Sequence, residues 1–124
     1  MGRRASGGGV VAFAAVDMDV NRTTKATFSG SGDEVIFHNK FTGSTPTGVF
    51  TYEGSLDPLA GNNDAAGDWV PLTVDVVHGD GDPTGTAGSN MVVLRDVPMW
   101  VRQIYTDGGS AAADKLTTWI TTAE

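Results

Sequence analysis

The sequence contains no cysteine. That excludes a disulfide framework, thiolate chemistry and every cysteine-based metal centre, and it fits a protein made in a reducing cytoplasm. Basic residues are scarce as well: eight Lys and Arg stand against fifteen Asp and Glu, for a formal charge of −7. Nucleic acid is therefore not expected as a partner, because neutralising phosphates takes clustered Lys and Arg. The one basic cluster is Arg3-Arg4. Long apolar runs are missing too. Val10 to Val16 is the nearest approach to one, far short of the ~20 residues of a membrane-spanning helix. Although Arg3-Arg4 followed by that stretch imitates a secretion signal, Gly7 to Gly9 precede it and it runs straight into Asp17 and Asp19. It is read as part of the protein and not as a leader.

Glycine is abundant, at 17 of 124 residues, roughly twice the usual ~7%. The glycines show no collagen-like period. They lie between apolar runs beside Ser, Thr, Asn and Asp, which is the pattern of many tight turns and hence many short strands. The length suits one domain with one two-layer core. Residues 1–9 read as a flexible Gly- and Ser-containing arm and residues 10–124 as a single β-domain. In this arrangement Arg3 and Arg4 meet carboxylates on a neighbouring chain while Val10 and Val11 begin the first strand, so these four residues form the expected partner-binding arm.

Period-two alternation recurs along the chain. Val16, Met18 and Val20 alternate with Asp17 and Asp19, and Thr23 to Ser29 forms a Thr-rich second segment. Val35 and Phe37 oppose Ile36, His38 and Lys40, while Phe50 and Tyr52 oppose Val49, Thr51 and Glu53. Strands are further expected over Trp69–His78, Met91–Leu94, Trp100–Thr106 and Leu116–Thr122, with long loops at Asp57–Gly67 and Gly79–Asn90. Between Met99 and Tyr105 the alternation leaves both faces open: Trp100 and Ile104 flank Arg102 on one, and Met99, Val101 and Tyr105 flank Gln103 on the other. The count of seven to nine short antiparallel strands, with no amphipathic helix, predicts an all-β sandwich of jelly-roll or immunoglobulin-like topology.

Chemistry-bearing motifs are few. His38 and His78 lack the spacing of a zinc pair and read as solvent-facing strand histidines. Asp80 and Asp82, in His78-Gly79-Asp80-Gly81-Asp82, offer alternating carboxylates as a calcium candidate. Pro83 and Thr84 interrupt the EF-hand pattern, and its twelfth position is Met91, so an acidic solvated turn is the better account. No nucleophile elbow, P-loop or dinucleotide fingerprint occurs, and neither an enzyme nor a cofactor is expected. Trp69, Trp100 and Trp119 are the candidate surface aromatics for stacking on glycans. Their alternative place is the core or a subunit contact.

Two phrases carry a resemblance: Phe50-Thr51-Tyr52-Glu53-Gly54-Ser55-Leu56-Asp57 leading through a loop to Asp68-Trp69-Val70-Pro71-Leu72, and Val97 to Thr106 followed by Asp107-Gly108-Gly109 and Leu116 to Ile120. Together they resemble small β-sandwich virion proteins of tailed bacteriophages, with an echo of discoidin-type (factor 5/8 C-type) sandwiches. The chain departs from the carbohydrate-binding discoidin relatives in its short length and in lacking their cysteine pair. The resemblance implies that Glu53 to Asp57 closes a turn, Trp69 anchors the next strand and Arg102 pairs across a sheet. It also implies a role as a structural protein: a capsid decoration or cement protein on the virion surface, made in the host cytoplasm, its partners the major capsid protein and copies of itself in a trimer. A tail or head-fibre component and a carbohydrate-binding module are the alternatives.

Overall fold

The computed structural model describes residues 9–29, 34–62 and 67–123, and Arg3 and Arg4 lie outside them. Strands account for 59% of the chain and helix for 4%, which makes the protein all-β. The described residues form β1 (Val10–Asp17), β2 (Arg22–Thr23), β3 (Thr27–Phe28), β4 (Glu34–Thr42), β5 (Gly48–Ser55), α1 (Pro58–Asn62), β6 (Val70–Leu72), β7 (Val76–Gly79), β8 (Gly88–Arg95), β9 (Trp100–Asp107) and β10 (Lys115–Ala123).

The strands make two antiparallel sheets. The first has the order β1-β10-β4-β8-β7, and the second the order β2-β9-β5-β6, with β3 also pairing β9. Alternation sets what each face buries. In β4, Val35, Phe37, Asn39 and Phe41 point inward, and in β5 Phe50 and Tyr52 do so. Their rings meet across the layers, Phe37 with Tyr52 at 5.1 Å and Phe41 with Phe50 at 6.4 Å between centroids, and Phe50 also packs on Tyr105 of the neighbouring strand at 5.6 Å. Full burial of such side chains stabilises by about 1.5–3 kcal/mol each. β9 resolves the open choice of face: Val101, Gln103 and Tyr105 are buried, so Trp100, Arg102 and Ile104 lie on the outer surface of the second sheet.

Four expectations need correction. The first strand ends at Asp17 rather than running through Val20, because the chain turns inward there to bury Met18 and hydrogen-bond its amide to the Asp114 carbonyl. The Thr23–Ser29 segment is two short strands, β2 and β3. The Trp69–His78 strand is two strands in different sheets, β6 and β7, since the chain crosses between layers at residues 73–75. Asp75 secures that corner: its amide donates to the Val93 carbonyl and its Oδ2 accepts from the Arg95 amide at 2.6 Å. Within the loop expected over Asp57–Gly67, residues 58–62 form α1.

Candidate functional site

The interior contains a polar cluster that no catalytic pattern accounts for. Asn39, Gln103 and Thr118 are fully buried, with Asn90, Tyr52 and Thr24 nearly so. Asn39 Nδ2 donates to Gln103 Oε1 at 2.9 Å and to Asn90 Oδ1 at 3.0 Å, and Gln103 Nε2 donates back to Asn39 Oδ1 at 2.9 Å. The hydroxyls of Thr118 and Tyr52 donate into the same pair, and Thr24 Oγ1 accepts the Gln103 amide. Burial pushes the Tyr52 phenol far up, against the lowering effect of its bond to the Asn39 amide, so it stays protonated. Closed to solvent and internally satisfied, the cluster fixes the register of the two sheets; it offers no reacting group.

The carboxylates hold loops. Asp114, buried under the β4–β5 turn, accepts from the Thr45 hydroxyl at 2.9 Å and the Ala111 amide at 2.8 Å. Burial alone would raise its pKa, but these donors outweigh it and hold the carboxyl below the usual range. Asp107 is lowered by amide donation from Ser110 and Gly109. Asp17 is lowered by its hydrogen-bonded ion pair with Lys115, which joins β1 to β10. Asp80 Oδ2 accepts the Ser89 amide at 2.9 Å, and Asp82 Oδ1 accepts the Phe50 amide at 3.0 Å, so the two calcium-candidate residues lock different elements. Among the described residues no three His, Asp or Glu side chains are grouped to hold a metal ion.

The Glu53–Asp57 phrase closes a turn in a specific way. Ser55 Oγ donates to the Asp68 carbonyl and accepts the Asp57 amide, while the two Asp57 oxygens accept the amides of Leu59 and Asp68. Gly54 is required because a Cβ there would overlap Pro98. Arg102 on β9 pairs with Glu53 on β5 at 2.7 Å and lies 4.1 Å above the Trp69 ring centroid. Trp100 packs between Phe28, at 5.3 Å, and Gly61 of α1. Trp119 is on the outer face of the first sheet, 4.9 Å from the His38 ring. The three tryptophans therefore do not form one platform. Trp69 and Trp100 belong to the second sheet, each with a ring face already occupied, and Trp119 belongs to the other.

The β1 edge presents an exposed apolar surface. Among the described residues β1 pairs with β10 on one side only, and its register with β10 slips between Val11 and Phe13 and again before Val16. Val10 and Val11 are 72% and 52% exposed, and Phe28 on β3 is 54% exposed. Between them, along the seam where the two sheets gape, runs a groove of about 720 Å³ floored by Phe13 and Ile120. Among the described residues its one charged lining residue is Lys25. Val10 and Val11 begin β1 and line this groove. Phe28 and Lys25 border it too, a placement that a Thr-rich stretch does not reveal in the sequence. No protein-family model matches the chain, and no curated protein matches it well enough to compare.

Proposed function

We propose that this chain is a non-enzymatic virion protein of a tailed phage that decorates and cements the capsid surface, with the β1 edge and its groove seated on the major capsid protein and copies closed into a trimer. The observation that carries the reading is the apolar β1 edge. Among the described residues no strand covers its free side, and exposed valines beside unpaired backbone groups are a template that soluble proteins cover or blunt. Residues 1–9 lead directly into that edge, so an arm and an apolar strand would engage the same neighbour. Binding of this kind stabilises a shell by mass action, without chemistry. The inward or loop-holding engagement of the polar side chains described above supports a structural role over a catalytic one.

The test is to mix the purified chain with shells of the encoding phage that lack it, then measure co-sedimentation and image the particles. Stoichiometric density on the capsid lattice is expected, lost in a Val11→Asp, Phe28→Ser variant that still folds. Full binding by that variant would remove the β1 edge from the interface. Density on the tail or a head fibre, with none on the lattice, would replace the cementing role with the tail or fibre one.

A further inference from the structure

The outer face of the first sheet carries a continuous cross-strand row. Val11 on β1 lies opposite Trp119 on β10, Trp119 opposite His38 on β4, His38 opposite Met91 on β8, and Met91 opposite His78 on the edge strand β7. The alternation fixes the direction of these side chains. Asn39 beside His38, and Asn90 and Val92 beside Met91, are buried between the sheets, so His38 and Met91 point outward. Met91 is 39% exposed and His78 is exposed. His38, Met91 and Trp119 also border one shallow concavity of about 300 Å³.

Directly opposed residues in an antiparallel sheet have Cβ atoms about 4.5–5.5 Å apart. The two histidines of this protein, the only ones it has, therefore flank one thioether, one strand away on either side. Two imidazoles leaning over the middle strand can close on a single ion, because each metal–nitrogen bond bridges about a further 2.0–2.1 Å. The donors are two neutral rings and a soft sulfur. The row itself contains no carboxylate, and Asp80, just past the end of β7, has Oδ2 on the Ser89 amide. Of the flanking rows, Thr121–Ile36–Val93–Val76 is uncharged and Thr117–Lys40–Ser89 carries a cation. Hard cations such as calcium want oxygen ligands and find few here. Thioether and imidazole together select soft ions.

We propose that His38, Met91 and His78 form a surface site for a soft monovalent cation, Cu(I) in a reducing compartment and Ag(I) as its redox-inert analogue. The site is independent of the β1 groove and of the virion reading. His38 is held on its other side by the Trp119 ring, which limits its rotamers and prepares it to bind.

The probe is Ag(I), added to the full chain labelled for NMR at its two imidazoles and methionine methyls. One equivalent should move both histidine ring signals and the Met91 methyl together, while the Met99 methyl stays in place. Met91→Leu, a volume-conserving change on a partly exposed strand position, should leave the melting temperature unaltered. It should weaken Ag(I) binding at least as much as the roughly 10–100-fold that loss of an outer-shell partner costs a metal site. His78→Gln should weaken it similarly, and Met99→Leu should not. Binding by Met91→Leu as tight as by the native chain would overturn the proposal. So would an Ag(I) titration that moves one histidine without the other, or neither.

Discussion

Asn39 and Gln103 face each other across the two sheets and exchange a reciprocal pair of hydrogen bonds, each 2.9 Å long, with neither side chain exposed to solvent. One sits on β4 and the other on β9, so the pair links the middle strand of the first sheet to the strand in the second that holds β2, β3 and β5. Replacing either residue by leucine strands the partner amide and at least one further donor. Each unmade buried bond costs about 1–3 kcal/mol, so Asn39→Leu and Gln103→Leu should each lower the urea midpoint by an amount of that order or more. The double variant should lose less than the two losses added together, because the second substitution removes a group the first had already orphaned. Additive losses would mean that the two amides act independently.

Gly43 and Asp114 are coupled by space. Gly43 has φ +117, and a Cβ there would overlap Asp114 Oδ1. Gly43→Ala should therefore destabilise by roughly 1 kcal/mol or more, the strain adding to the displaced carboxylate. Gly81 and Gly85, at φ +72 and +104, have open space around the added carbon. Alanine there meets the backbone strain alone. Thermal melts of the three variants should place Gly43→Ala lowest.

Acid should unfold the protein through its lowered carboxyls. Asp17, Asp107 and Asp114 all have folded values below 3.8. As pH falls, the unfolded chain takes up these protons first, so their stabilisation is complete above about pH 4 and is lost as pH drops through 3.8 towards the folded values. Denaturant unfolding of the native chain should show stability declining in that window. Asp114→Asn should start less stable and decline less steeply.

Alkali acts with the opposite sign. Burial raises both Tyr52 and Tyr105 above 10.0. The unfolded chain releases these phenolic protons near that value while the folded protein keeps them. Stability from the two tyrosines is thus intact below pH 10.0 and lost as pH rises beyond it. The rise of tyrosinate absorbance near 295 nm should accompany the loss of β circular dichroism. Ionisation of both tyrosines at pH 10 in a protein still folded would contradict this.

Calcium should leave the melting curve where excess chelator leaves it, since Asp80 and Asp82 each hold a backbone amide of a different strand. Asp82→Ala removes the acceptor for the Phe50 amide and should cost about 0.5–1.5 kcal/mol, with or without calcium.

The all-β class, the strands β4, β5, β8, β9 and β10, and the inward direction of Phe37, Phe50 and Tyr52 were legible in the sequence. A period of two is a local property, fixed by the backbone pleat and visible in single side chains. Val10 and Val11 at the start of β1, and the pairing of Arg102 across a sheet, were legible too. Tertiary structure alone decided the rest, because each remaining feature depends on residues far apart in the chain. Gln103 could be assigned to a buried face only once Asn39, 64 positions away, was there to satisfy it. The break of Trp69–His78 into two strands follows from the Asp75 corner, where the bonds go to Val93 and Arg95. Asp80 and Asp82 look like ion ligands in one dimension and prove to be acceptors for amides of β8 and β5 in three. The groove and the His38–Met91–His78 row exist only through strand order, which places residues 40 apart in sequence two strands apart in space, and no local pattern encodes strand order.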